Sequence, residues 1–426
     1  MADPSLPSLL IIADSPDALT KLGGISLLER LRRIARQMGF RDAVVLSNSI
    51  ESVTQHMAQQ SWHAKDVSLT FREFVAPKIA VGDILDALAT RRATSENRAL
   101  IIWSNFYCDE RLVRALVDAR HDCALIDSDP PRVTKPLWEN SEYRSGAAVL
   151  SHDCISGKNR NSSLMSELAA DLTAGRMAAL DAALQPSYLP DMRRSIRPIF
   201  FPAPTAQHRP LAERLLRDAT QKGVLDLPAL VHAPIEKWIV SFLCRTSITP
   251  NQVTLVTGIL GAAVTVLYVL GYLWPGALLA LAVGILDGVD GKLARLKIQT
   301  TKAGKGEHAL DYIVEMSWWA GLAYHFHVTG QVTYAYATLL IFFAFDLLQR
   351  IAKWSVEQRL RRRLDDVSRF DRRLRYVAGR RNIYTWLFTF CLLIGLPPTG
   401  FVLLCSWGIV TAATHIIRAV QIRSSA

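Results

Sequence analysis

The sequence predicts a multidomain protein, an N-terminal α/β domain followed by an all-α six-helix transmembrane bundle with a preceding interfacial helix. Three observations predict it. The chain has 426 residues, more than one ordinary soluble domain holds. Short apolar runs alternate with helical periodicity only in its first part. From about residue 233 long apolar segments take over, and the charge becomes lopsided there. Residues 1–233 hold 28 Lys and Arg against 27 Asp and Glu, whereas 234–426 hold 21 against 11, so nearly all of the net +11 lies with the apolar segments. This pattern excludes a wholly soluble protein, a disordered chain and a collagen-like one. Basic residues lying between apolar spans follow from membrane topology and give no support to nucleic-acid binding.

In chain order, Ser8–Ala13, Ala43–Leu46, Ala99–Trp103, Cys123–Asp127 and Ala147–Leu150 read as buried strands. Ser26–Met38 and Glu110–Arg120, with apolar residues three and four apart, read as helices between them. The alternation predicts a mainly parallel sheet covered on both faces. Residues 161–185 read as helical, and six prolines between Pro186 and Pro210 read as a boundary. The expected division is 1–205 for the α/β domain, 206–248 for a linker with an amphipathic helix, and 249–426 for the bundle. Ile235, Trp238, Ile239, Phe242 and Leu243 form one apolar stripe beside Lys237 and Arg245, which predicts a helix lying in the membrane interface. Apolar segments follow at about 252–271, 275–297, 307–326, 332–355, 382–396 and 399–420, most near the ~20 residues a bilayer requires.

Charge sets the expected orientation. Connections 271–276, 325–333 and 395–400 carry no Lys or Arg, whereas Lys292, Arg295, Lys297, Lys302 and Lys305 adjoin the second and third segments. Ten arginines lie between Arg359 and Arg381. The positive-inside rule puts both termini and both basic connections on the cytoplasmic side of the cell membrane, and anionic lipid adds to the attraction. Leu9–Ala13 is too short for a signal-peptide core, so the first domain is expected to stay in the cytoplasm. Cys108, Cys123, Cys154, Cys244, Cys391 and Cys405 make no CxxC pair and no metal-ligand spacing, which fits reduced thiols. His325 and His327, near an external connection, read as interfacial residues.

The chemistry lies in Leu286–Arg295, LDGVDGKLAR, and Leu310–Glu315, LDYIVE. Asp287 and Asp290, spaced i, i+3, share one helix face, and Asp311 and Glu315, spaced i, i+4, share another. Carboxylates at the ends of membrane spans are costly unless paired with cations or metal. Oxygen ligands without a His or Cys cluster favour Mg2+ or Mn2+, and two such ions can hold a diphosphate.

Asp287-x-x-Asp290-Gly291-x-x-Ala294-Arg295, followed by Asp311 sixteen residues after the arginine, resembles the signature of the CDP-alcohol phosphotransferase family, DxxDGxxAR then GxxxDxxxD. Thr249-Pro250-Asn251-Gln252-Val253-Thr254 and Gly379-Arg380-Arg381-Asn382 are also similar to family features, and the resemblance covers about 210–420. Two positions depart from it. Glu307 stands where the family has glycine, with Gly306 one place early, and Glu315 stands where it has the fourth aspartate. The resemblance implies a membrane enzyme in which a CDP-linked alcohol gives its phospho-alcohol to an acceptor alcohol or lipid hydroxyl with release of CMP. It implies a two-metal site of Mg2+ or Mn2+ held by Asp287, Asp290, Asp311 and Glu315, with Glu315 also the base. Gly291, Ala294, Arg295 and Asn251 would surround the cytidine diphosphate, and Arg380 and Arg381 would hold an acceptor phosphate. It further implies a homodimer in membrane lipid. Donor and acceptor stay open, and a non-catalytic protein that binds nucleotide or recruits a partner is the alternative.

Leu9–Asn48, with Lys21-Leu22-Gly23-Gly24-Ile25-Ser26-Leu27-Leu28-Glu29-Arg30, resembles the opening of a sugar-phosphate nucleotidyltransferase. The fusion, with Gln221-Lys222-Gly223-Val224-Leu225-Asp226 as linker, is similar to the bifunctional inositol-1-phosphate cytidylyltransferase/di-myo-inositol phosphate phosphate synthase arrangement. The expected glycine-rich loop, however, reads Ala13-Asp14-Ser15-Pro16-Asp17-Ala18, and Asn105 stands where a metal-binding aspartate is expected. The expectation is a degenerate nucleotidyltransferase-like domain, with a bifunctional enzyme that makes its own CDP-alcohol as the rival.

Overall fold

The computed structural model describes residues 6–59, 67–90, 97–139, 145–223, 226–299 and 304–425, with backbone only for 304–310 and 425. Lys302 and the linker residues Val224 and Leu225 lie outside the described residues, as do the side chains of Lys305 and Glu307. The chain divides into two compact units, Met1–Thr220 with Leu296–Ile298, and Gln221–Arg295 with Gln299–Ala426.

The first unit contains strands β1 (Ser8–Ala13), β2 (Lys21–Leu22), β3 (Ile25–Ser26), β4 (Asp42–Ser47), β5 (Ser68–Glu73), β6 (Arg98–Trp103), β7 (Phe106–Cys108), β8 (Cys123–Ile126), β9 (Ser145–Ser151), β10 (Ala178–Asp181), β11 (Tyr188–Leu189), β12 (Arg194–Ser195) and β13 (Phe200–Pro202). Its helices are α1 (Leu27–Gln37), α2 (Ile50–Ala58), α3 (Val81–Ala89), α4 (Glu110–Asp118), α5 (His152–Ser156), α6 (Leu164–Thr173) and α7 (Arg209–Ala219). Seven strands form one sheet in the order β10-β8-β9-β6-β1-β4-β5. All neighbours are parallel except β9, which runs antiparallel to both β6 and β8. The reason is local. A parallel return needs a crossover of a dozen or more residues, normally a helix, and between β8 and β9 the described residues hold only a 3-10 turn at Lys135–Trp138.

Of the seven strands of this sheet, the two that the sequence leaves unread, β5 and β10, are its edges; the short pairs β2–β3, β7–β13 and β11–β12 are also unread. An edge strand faces water and carries less apolar signal. The helix expected over 161–185 stops at Thr173, where Gly175 turns the chain at φ +68 into β10. Leu9–Ile12 and Leu100–Trp103 are sealed in the core of this unit.

The second unit is helical: α8 (Ala229–Leu243), α9 (Pro250–Val269), α10 (Leu273–Lys297), α11 (Gly304–Val328), α12 (Ala335–Leu360), α13 (Arg369–Val377), α14 (Arg381–Leu393) and α15 (Pro397–Ser425). Each of the six apolar segments is a helix. Among the described residues three are long and apolar enough to cross a membrane, Pro250–Val269, Ala335–Leu360 and Pro397–Ser424. α14, with 13 residues, would reach about 20 Å against a hydrocarbon core of about 30 Å. The arginine-rich connection is partly folded, since it contains α13.

Trp318, Trp319, Phe326, Phe342, Tyr384 and Phe388 fill the bundle core. The outer surface is apolar: Leu255 is 65% exposed and Leu340 66%. α8 shows the same inversion, with Trp238 and Phe242 exposed while His232, Glu236 and Val240 are buried. At the α9–α10 turn Gly271 has φ +81, and a Cβ there would lie 2.6 Å from the His325 ring, so this position suits glycine on both counts.

Candidate functional site

α9 begins with a capping box. The Thr249 hydroxyl accepts from the Gln252 backbone amide at 3.3 Å, while the Gln252 side-chain Oε1 accepts from the Thr249 backbone amide at 2.9 Å, with Pro250 in the first turn. That fixed start aims Thr254, whose hydroxyl donates to Asp290 Oδ2 at 2.8 Å. Asn251 is exposed in the first turn of α9.

Asp287 and Asp290 stand on α10, Asp311 and Glu315 on α11. Asp290 interacts electrostatically with both Asp287 and Asp311. Asp287 pairs with Arg381, the first residue of α14, at 2.7 Å. The same guanidinium interacts with Glu315 and Asp311, so Arg381 is a shared counter-charge for three of the four carboxylates. Arg295 folds back along α10, its Nη1 lying 3.3 Å from where a Gly291 Cβ would be, and it interacts electrostatically with Asp290 and Glu236. A side chain at 291 would crowd that path. Ala294, in the next turn, is half-buried.

Arg380 is directed elsewhere. Its Nη2 donates to Asp365 at 2.7 Å, and the same carboxylate accepts from Arg375 at 2.8 Å. The two adjacent arginines of the expected acceptor site therefore serve different carboxylates.

Three groups escaped the sequence reading. Thr254 was seen only as part of a motif. Asp346 on α12 accepts from Tyr312 at 2.9 Å and Arg350 at 2.8 Å, and interacts with Glu315; its signal was an ionisable residue inside an apolar segment. Glu236 on α8 pairs with Lys292 at 2.7 Å, and no periodicity pointed to it.

The donor set is all oxygen and its carboxylates are electrostatically coupled, which fits hard divalent cations. In the present side-chain arrangement, among the described residues, no three His, Cys, Asp or Glu groups converge closely enough to hold one ion. Asp287 is turned to Arg381 and Asp290 to Thr254 instead.

Polar residues gather at the C-terminal ends of β1, β4 and β6 in the α/β unit, where Ser47 and Asn48 donate to the Ala13 and Asp14 carbonyls and Ser104 to that of Ile12. The loop after β1 forms a 3-10 turn in which the Asp17 amide donates to Ser15 Oγ, and the Ala18 and Thr20 amides donate to the Ser15 and Asp17 carbonyls. Those N–H groups are consumed within the turn. Asp14 is held above the usual carboxylate range by burial, against a hydrogen bond from Trp103 and the charge of Lys78. Asn105 presents a buried Oδ1 with no hydrogen-bond partner. Lys21 is exposed on β2, its carbonyl accepting from Arg209 at 2.7 Å. All six cysteines are free thiols.

Residues 247–412 match the family model described as CDP-alcohol phosphatidyltransferase, so the C-terminal half carries a domain of that family. Among curated proteins the chain is similar to the bifunctional IPC transferase and DIPP synthase of Thermococcus kodakarensis, 41% identical over 86 residues. That match covers 20% of this chain and 20% of the relative's length. Among solved structures the chain is similar to Mycobacterium tuberculosis phosphatidylinositol phosphate synthase (PgsA1) with CDP-DAG bound, at 19% identity, 45% of this chain, 94% of that chain and a TM-score of 0.34. It is also similar to the inositol-1-phosphate CTP transferase from T. maritima, at 10% identity, 50% of this chain, 96% of that chain and a TM-score of 0.33.

Proposed function

We propose that the helical unit is a membrane-embedded CDP-alcohol phosphotransferase. The observation that carries this is Asp287-x-x-Asp290-Gly291-x-x-Ala294-Arg295 on α10, electrostatically coupled to Asp311 and Glu315 of α11 through Asp290 and Arg381. A CDP-linked alcohol lies with its diphosphate toward Asp287, Asp290 and Asp311. Arg295, folded back over Gly291, receives the cytidine diphosphate, with Gly291, Ala294 and Asn251 beside it. Thr254 orients Asp290.

Glu315 takes the proton of the acceptor hydroxyl. The acceptor oxygen forms its bond to the phosphorus that carries the alcohol, the bond from that phosphorus to the bridging oxygen breaks, and CMP leaves with the bridging oxygen. Asp287, Asp290, Asp311 and Glu315 would hold two Mg2+ or Mn2+ ions, which when bound neutralise the diphosphate charge. Arg381 and Arg380, paired here with Asp287 and Asp365, would hold an acceptor phosphate on exchanging those partners. The acceptor is a polar alcohol or a lipid hydroxyl, and the donor CDP-diacylglycerol or a CDP-linked headgroup.

The distribution of Lys and Arg supports a multi-pass protein with both termini and the site on the cytoplasmic side; a homodimer follows from the family resemblance alone. The α/β unit, with its amides consumed in the turn at Ser15–Thr20, is a degenerate nucleotidyltransferase-like scaffold. The test is CMP release by purified full-length protein, screened over CDP-donors with and without Mg2+. Donor-dependent CMP with matching transfer product is expected. Absence of CMP with every donor would favour a non-catalytic, nucleotide-binding role.

A further inference from the structure

Lys292 lies inside the LDGVDGKLAR segment yet is turned away from its carboxylates. It is buried, its Nζ 2.7 Å from Glu236 Oε2, and the Glu236 side chain is only 10% exposed. The approach requires the glycine between the two motif aspartates: a Cβ on Gly288 would fall 2.3 Å from the Glu236 carboxyl carbon. One turn earlier, a Cβ on Gly284 would lie 2.9 Å from Asn382 and 3.5 Å from His232, and His232 accepts from the Trp386 indole at 3.0 Å. Gly284, Gly288 and Lys292, four residues apart, thus form the face of α10 on which α8 is seated.

Glu236 serves two motif cations. It pairs with Lys292 and interacts with Arg295, which also interacts with Asp290, while Lys292 and Arg295 repel one another. We propose that Glu236, on the interfacial helix, is a positioning residue that keeps Lys292 and Arg295 from competing with divalent cations for Asp290. Without its charge a buried ammonium is left facing Arg295, and the guanidinium moves onto Asp290. The outer face of α8 is exposed and apolar at Trp238 and Phe242, so the helix that seats in the membrane interface also sets the charge balance of the motif.

This inference rests on the two-cation reading of the site, and cation binding separates its failure from failure of the transfer reaction. Mn2+ binding to detergent-solubilised full-length protein is measured by electron paramagnetic resonance. Glu236→Gln is expected to weaken Mn2+ binding by about 10-fold, the scale of losing an outer-shell partner. Glu236→Gln with Lys292→Met is expected to recover most of that loss, and Glu236→Asp, which keeps the charge, to stay close to wild type. Unchanged affinity in Glu236→Gln overturns the inference, as does a loss that the double variant fails to recover. If Glu236→Gln does not fold, a 10-fold loss in Glu236→Asp or in the double variant overturns it, and near-wild-type binding in both supports it. A wild-type protein that releases CMP without binding Mn2+ overturns this inference alone. The predicted Mn2+ pattern without any CMP overturns the transfer reaction alone.

Discussion

In the α/β unit Leu9–Ile12 and Leu100–Trp103 are sealed inside, whereas in the helical unit Trp238, Leu255 and Leu340 face outward and Glu236, Lys292, Asp365 and Asp371 are buried. Buried charge is neutralised in two ways. Glu29 and Arg33, one turn apart on α1, pair at 2.8 Å within a single helix. In the α/β unit Asp127 pairs with the distant Arg197, and in the helical unit Asp346 and Arg350 pair within α12 at 2.8 Å, whereas Asp287 with Arg381, Glu236 with Lys292 and Asp371 with Arg418 pair across separate helices. A charge with a local partner survives small shifts in packing, while one whose partner stands on another helix reports on the whole assembly. Asp287, proposed as a metal ligand, is of the second kind, so its charge balance depends on how α10 and α14 pack.

The largest effects expected from breaking that contrast are on the motif itself. Asp287→Asn and Asp311→Asn should each abolish detectable CMP release while the protein remains folded by circular dichroism, and a chelator should do the same to the wild type. Next comes Glu315. Glu315→Gln cannot take the acceptor proton and should slow transfer by ~10^2-fold or more, whereas Glu315→Asp should keep activity; equal rates in all three would assign the proton to another group.

Smaller effects are expected in the α/β unit. A Cβ on Gly146 would lie 2.5 Å from the Phe106 ring, which stacks on Phe200 at 5.2 Å. Gly146→Ala should therefore cost about 1–3 kcal/mol of that unit's stability by overpacking, read from denaturant midpoints, with CMP release nearly unchanged.

The smallest effect concerns pH. Burial alone would raise the Asp171 carboxyl, but hydrogen bonds from Lys158 and Arg176 outweigh it and hold the group below its ordinary range. A depressed carboxylate adds stability above its unfolded pKa and loses it as pH falls through the folded value. Asp171→Asn should thus cost about 1 kcal/mol near neutrality, with the difference shrinking below about pH 4. A penalty independent of pH would mean that the lost contacts are not those of the charge.

Legibility followed the same divide. β1 is read to the residue because all six of its positions are apolar or buried, whereas the edge strands β5 and β10 are half wet and give no such run. β9 is read as a strand, but its antiparallel direction is invisible to periodicity, since direction depends on what connects it. In the helical unit Asp287, Asp290, Asp311 and Glu315 are legible from spacing alone. Their partners Thr254, Arg381 and Asp346 come from three other helices, and no local pattern joins them. Glu236 is hidden for a simpler reason: the apolar stripe marks the exposed face of α8, while Glu236, paired with Lys292, is buried on the other.

The measurement that bears most directly on the division of labour follows two products from one preparation of the full-length chain. Supplied with a CDP-donor, an acceptor and Mg2+, the protein should release CMP, and Asp290→Asn should stop it. Supplied with CTP and sugar or polyol phosphates instead, it should release no pyrophosphate. Pyrophosphate that disappears when Lys21 is changed, or CMP release that survives Asp290→Asn, would contradict the assignment of the chemistry to the helical unit.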